Sequence, residues 1–356
     1  EHTTDCIGDW MLTKDNYTLE HINELRKNKN TDTFILERSI YAFGLLEALC
    51  KVKMPFIFKG GTSLMLLLEH PRRLSTDVDI IVPQGTDVES YLKKVKDVFP
   101  FEKVVQQERI GKNGIAKKHY KFYYKSPVKN DALFYILLDI LFEENHYARI
   151  VRKPIKNDLL NTQGEDLEVV LPSVDCILGD KLTAFAPHTT GIPLGIGKEL
   201  EIIKQMYDVA ALIDVFDDFE DVYNSYMAIV ETEINYRGLD ISANEVLMDT
   251  IDTAACIAGR GQLGNEYPMY LAGIKSISTH IYDERYSAEK AVQSACKTMY
   301  LAACILRKSN FEKIIDCNLY LDCNIGKSNY SKLSKLRKFN AEAFAYVVKT
   351  VELLEK

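Results

Sequence analysis

Two acids stand two residues apart, Asp77 and Asp79, in the stretch FIFKGGTSLMLLLEHPRRLSTDVDIIV that runs from residue 56 to 82. On a β-strand, residues i and i+2 share a face, so both carboxylates project together. Adjacent carboxylates repel, and each makes the other harder to ionise unless a cation lies between them. An oxygen-only pair suits a hard ion such as Mg2+ (or Mn2+), which keeps several waters and takes one or two protein carboxylates plus substrate phosphates. A solvated strand end carrying two acids would read the same way, so the pair needs company.

Company is present. Gly60-Gly61 lets backbone N–H groups approach an anion closely, and the apolar run after it reads as a helix whose positive end points at the same place. Thr62 and Ser63 add hydroxyls and can cap that helix. Arg73 and Ser75 stand just before the acid pair, where charge and a hydroxyl could help place a phosphate; a solvated helix end is the other reading of Arg73. Asp139 lies inside the apolar run ALFYILLDILF at 132–142, where an ionised carboxylate needs compensation. It reads either as a hydrogen-bonded structural acid or as a third carboxylate of the site, on the strand next to the one that carries Asp77 and Asp79.

A different chemistry is suggested by 109–129, which holds seven Lys or Arg and no acid in a chain of net charge −7. A basic patch on an acidic protein points to a specific anionic partner. In KKHYKFYYK, Lys117, His119, Lys121, Tyr123 and Lys125 share one face, and Lys118, Tyr120, Phe122 and Tyr124 share the other. Lys117, Lys118, Lys121 and Lys125 could neutralise phosphates, with Tyr123, or Tyr120 or Tyr124, stacked on an unpaired base. Lysines that guard an edge strand are the competing account.

Short strands are expected at 56–58 and 78–82, a hairpin ending in KKHYKFYYK, and a buried strand at 132–142. Helices are expected near 15–51, 87–98, 173–186 and 199–215, and the pattern after 218 is nearly all helical. Strands cluster before 170 and helices after it. The fold class is therefore α+β: a mixed β-sheet flanked by helices over 1–215, then an all-α C-terminal domain over 216–356. The eight cysteines form no C-x-x-C pair and read as reduced thiols. No apolar run is long enough to span a bilayer, so no membrane partner is expected and the expected location is the cytoplasm.

Phe-Lys-Gly-Gly-Thr-Ser-Leu followed by Arg-Leu-Ser-Thr-Asp-Val-Asp resembles the signature of the AbiEii-type (AbiEii/AbiGii, MenT-like) toxins of the nucleotidyltransferase superfamily. LPSVDCILGDKLTAF and KQMYDVAALID resemble two later segments of that family, in the right order. The resemblance spans about 56–215 and implies a nucleotidyltransferase-type sheet domain. It also implies two-metal nucleotidyl transfer from an NTP, with Asp77, Asp79 and Asp139 holding Mg2+ or Mn2+. Gly60, Gly61, Thr62, Ser63, Arg73 and Ser75 would then lie about the phosphates, with Lys181 offsetting triphosphate charge and Asp208 orienting it or a base. On spacing alone, Lys204 and Asp208 could instead pair on a helix surface. TTGIPLGIGKELE stands where the family more often has a short Arg-containing connection. The family further implies an RNA acceptor, with tRNA favoured, and a cognate antitoxin. Transfer to a protein or small-molecule hydroxyl, and a non-catalytic nucleotide-binding module, are the rival functions.

Overall fold

The computed structural model describes residues 10–95, 98–107 and 116–356. Arg109 and Lys112 of the basic segment, and Cys6, lie outside the described residues. By contacts the chain forms two compact units. One comprises 1–172 with 279–284, the other 173–278 with 285–356. This division lies upstream of 215, where the sequence places a domain boundary.

In the first unit the chain order is α1 (Leu19–Arg26), α2 (Thr33–Lys51), β1 (Ile57–Lys59), α3 (Leu64–Leu67), β2 (Val78–Val82) and α4 (Val88–Val95). Then come β3 (Phe101–Gln107), β4 (Lys117–Ser126), β5 (Ala132–Phe142), β6 (Ile150–Pro154) and β7 (Glu168–Pro172). Five strands make one sheet in the order β1-β2-β5-β4-β3, and β6 pairs with β7. Only β2–β5 is parallel; the other ladders of the large sheet are antiparallel. The sheet is thus mixed, as the α+β reading expects.

Alternation decides which face is dry. Along β4, Tyr120, Phe122, Tyr124 and Ser126 are buried while Lys117 and Lys125 are exposed. The buried side meets α2, which starts at Asp32 with its carboxylate accepting from the Ile35 N–H at 2.9 Å. From Leu36 to Leu49 every residue of α2 except Arg38 is buried, including Glu37 and Glu47, as expected of a helix largely inside a core.

Glu37 is a polar tie inside that core. Its carboxylate accepts from the Tyr124 hydroxyl at 2.9 Å, the Ser126 hydroxyl at 2.8 Å and the Val128 N–H at 3.0 Å. Burial pushes its pKa up despite these donors.

The second unit is helical: α5 (Val174–Ala184), α6 (Glu199–Ile213), α7 (Phe219–Arg237), α8 (Ala243–Ala258), α9 (Tyr267–Ile277), α10 (Ala288–Arg307) and α11 (Ala341–Leu354). Helix α10 packs on α6, α8 and α11, and its small residues Ala291, Ala295, Ala302 and Ala303 are fully buried. His188 bridges Asp249 at 2.8 Å and Glu266 at 2.9 Å, tying the loop after α5 to this bundle. The cysteines among the described residues are free thiols. No helix among them is long and apolar enough to cross a membrane.

Glu37→Ala strands two buried hydroxyls and the half-buried Val128 N–H and is expected to cost roughly 2–3 kcal/mol, with Glu37→Gln costing less. A carboxyl whose pKa is higher folded than unfolded binds extra protons in the folded state. Its stabilising contribution is full below the ordinary carboxylate range and is lost as pH rises through the raised value. Urea unfolding across the acidic-to-neutral range should therefore show a shallower fall in Glu37→Gln than in wild type. An unchanged midpoint in Glu37→Ala would refute the role given to this tie.

Candidate active site

Register builds the site. Lys59 lies opposite Asp79, Asp79 opposite Asp139, and Asp139 opposite His119. Side chains opposite one another on neighbouring strands share a face. The row Lys59–Asp79–Asp139–His119 therefore crosses four strands on one face, and Gln107 opposite His119 extends it to a fifth. Asp139 takes the expected place beside Asp79, and it is also hydrogen-bonded to His119 Nδ1. Asp77 precedes β2, with its carboxylate 3.8 Å from the Arg38 guanidinium of α2.

The double glycine fits against these charges. Gly60 has φ +79°, and a Cβ there would lie 2.3 Å from Asp79 Oδ2. A Cβ on Gly61 would lie 2.5 Å from Arg73 Nη2 and 3.1 Å from Ser75 Oγ. Only residues without a side chain let this turn sit between a carboxylate and a guanidinium. Arg73 is buried, at 6% exposure, so it is not a solvated helix end. Its neighbourhood is closed by 279–284: the Leu74 N–H donates to His280 O at 2.7 Å and the Tyr282 N–H to Arg72 O at 2.8 Å.

The helix expected after the glycines is only a turn. Gly61–Ser63 is a 3-10 turn and α3 lasts from Leu64 to Leu67, too short for a useful dipole. Neither Thr62 nor Ser63 caps it. The Thr62 hydroxyl bonds the Asp77 carbonyl and Ser75 Oγ, the latter at 2.9 Å, and the Ser63 hydroxyl donates to Gly60 O at 2.6 Å. Both side chains are buried and shape the loop. The Gly61 and Thr62 N–H groups begin that turn and have no acceptor within it.

The carboxylate face carries more than the row. Lys117, Lys121, Tyr123 and Lys125 share it, because their partners on β5 are Leu141, Leu137, Tyr135 and Leu133. Tyr135 and Tyr123 stand 5.6 Å apart, with Lys121 4.4 Å over the Tyr135 ring and Lys103 4.6 Å over the Tyr123 ring. Lys118 does not join them. It points to the other face and pairs with Glu89 at 2.6 Å. Tyr120 and Tyr124 are buried there as well, bonded to Glu89 and Glu37. Strand β4 is interior, between β3 and β5, so its lysines do not guard an edge.

Sequence reasoning missed roles for Lys59, Arg38, His119, Lys103 and Tyr135. His119 was visible as a member of the alternating face; its register with Asp139 was not.

Lys181 and Asp208 lie in the helical unit, on α5 and α6. Lys181 Nζ is 3.1 Å from Asp208 Oδ2, with the side chains 11% and 2% exposed. Asp208 is therefore buried, not half of a surface pair, and Lys204 has Glu201 at 3.1 Å.

A family model described as the nucleotidyl transferase AbiEii toxin of type IV toxin–antitoxin systems matches residues 45–285. The chain belongs to the AbiEii family. That family is one of nucleotidyltransferase toxins of type IV toxin–antitoxin systems. Among solved structures it is similar to the nucleotidyltransferase toxin MenT4 from Mycobacterium tuberculosis. That match has 11% identity and a TM-score of 0.48, over 93% of this chain and 98% of that one. An antigenic nucleotidyltransferase-like protein from Paracoccidioides brasiliensis is similar at 14% identity and a TM-score of 0.36, over 57% and 91%. Neither likeness is strong enough to carry chemistry. No curated protein matches the sequence.

Among the described residues, no group of three or more His, Cys, Asp and Glu is arranged to hold a metal ion. Asp77, Asp79 and Asp139 carry only oxygen donors, the ligand type of a hard cation.

Gly60→Ala should lower nucleotidyl transfer by about 10²-fold, the scale of a small displacement at a reacting centre. A full-rate Gly60→Ala enzyme would show that the turn is not part of the site. Lys181→Met removes the cation that faces the buried Asp208 carboxylate and is expected to cost roughly 3 kcal/mol. Adding Asp208→Asn should restore most of that stability in thermal unfolding. If transfer stays low in the restored double variant, the pair acts beyond holding the fold.

Proposed function

We propose that this AbiEii-family chain transfers a nucleotide from an NTP to the 3′ hydroxyl of an RNA. A divalent metal, Mg2+ or Mn2+, assists, with tRNA as the favoured acceptor and a cognate antitoxin limiting the activity in the cytoplasm. The observation that carries the reading is the shared face. Asp79 and Asp139 stand side by side in register, and the tyrosine–lysine array lies on the same side of the same sheet.

In this reading Asp77, Asp79 and Asp139 hold the metal, which when bound neutralises triphosphate charge and favours the attacking hydroxylate. The Gly60-Gly61 turn brings its N–H groups to the phosphates, with Arg73 behind them and Ser75 fixing the turn through Thr62. His119 holds the Asp139 carboxylate in orientation. Lys117, Lys121 and Lys125 meet acceptor phosphates, and Tyr123, with Tyr135 beside it, offers a surface on which an unpaired base can stack. Lys118 has no part in this contact, since it is turned to the opposite face and paired with Glu89. Lys181, paired with Asp208, is proposed to offset triphosphate charge as the family pattern implies.

The direct test is incubation with each labelled NTP, Mg2+ and total cellular RNA or protein. Label is expected in RNA and absent with Asp77→Ala/Asp79→Ala. Label that persists in that variant would remove these acids from the site, and label in protein alone would replace the acceptor. Separately, Lys121→Glu/Lys125→Glu should weaken RNA binding in a filter assay at least tenfold, while Lys118→Gln leaves it unchanged. Equal loss in both would remove the assigned face.

A further inference from the structure

The helical unit contains a pocket that the transfer reaction does not use. It has a volume of about 350 Å3 and lies between the C-terminal end of α8, the start of α10 and the 3-10 segment Ser331–Lys338. A volume of this order suits one small ligand. Its apolar wall includes Val292 and Leu333, both nearly without exposure.

The rim has a different character. Phe339 is 75% exposed at its edge. Arg260, Lys332 and Lys335 also line the pocket and are exposed, against a single acid, Glu289. Lys332 is partly committed, since its Nζ donates to the Gln262 carbonyl at 2.9 Å. Arg260 and Lys335 make no hydrogen bond or ion pair with another described side chain. On a chain of net charge −7 this is a local excess of positive charge, placed beside an aromatic ring left in water. A ligand matching it needs a flat π-face for Phe339 and an anionic group for the cations. It also needs polar edges for the Gln262 amide and the Glu289 carboxylate, which accepts from an amino group.

We propose that this pocket binds a nucleoside phosphate, with the base against Phe339 and the phosphate at Arg260 and Lys335. The ligand is either a free nucleotide or one residue of an RNA strand, and both present the same groups. The site is separate from the carboxylate row and does not depend on the transfer reaction assigned to it.

The test uses the full chain with Asp77→Ala/Asp79→Ala and a chelator, so that metal-dependent binding at the carboxylates does not contribute. AMP, ATP and a short single-stranded RNA are titrated by calorimetry. The same titrations are repeated with Phe339→Ala or Lys335→Glu added; both positions are exposed, and circular dichroism verifies folding. Binding that weakens tenfold or more in each added variant is the expected result, in line with the contribution of one base stack. Saturation by AMP or ATP assigns the free nucleotide, and saturation by RNA alone assigns a strand. Absence of binding by all three, or binding indifferent to both substitutions, overturns the proposal. Binding here together with no labelling of RNA by the wild-type chain would count against the transfer reading alone.

Discussion

Asp79 and Asp139 occupy opposite positions on two parallel strands, and like charges at strand spacing repel. The sheet unit is arranged around that cost. Lys59 and His119 flank the pair in the same row, and Arg38 reaches Asp77 from α2. The Gly60-Gly61 turn lies against Asp79 on one side and Arg73 on the other. Protein cations stand near these acids in the folded chain, Arg38 beside Asp77 and Lys59 in register with Asp79. The parallel ladder that creates the repulsion also fixes the spacing, because register leaves the two carboxylates no other relative height.

The two faces of the sheet divide the remaining work. Toward α2, aromatic and aliphatic side chains close on a core whose polar tie is Glu37. Toward the carboxylates, the same strands present lysines and two tyrosines. Period-two alternation separates these roles: Lys118 and Lys121 are three apart in sequence and on opposite faces, one paired with Glu89 and one beside Tyr135.

In the helical unit, charge is treated in two ways. Lys181 and Asp208 are nearly out of water and hold each other, which commits both side chains to one geometry. Arg260 and Lys335 remain exposed at the rim of a pocket with an apolar wall. Buried pairs fix positions, whereas exposed cations beside an apolar recess are suited to attracting a ligand.

Much of this was legible in the sequence. The runs VDIIV and ALFYILLDILF delimit their strands as written, KKHYKFYYK shows its two faces, and ANEVLMDTIDTAACIA shows its helix. Local periodicity decides such elements, and the order of the Gly-Gly turn and the acids was enough to indicate the family. What lay beyond it were relations between segments distant in the chain. Nothing near Asp139 announces that its neighbours are Asp79 and His119, since register is set by pairing across strands. Nothing near Thr62 reveals that its hydroxyl is taken by Asp77 and Ser75, or that the expected helix ends after one turn. The helical reading of SLMLLLEH, residues 63–70, holds only over Leu64–Leu67, because Leu68 turns extended and the chain leads back to β2. The sequence by itself determined which residues could do chemistry and which local elements carry them; tertiary structure decided which of them meet, because contacts between remote segments follow from packing and pairing that no local pattern records.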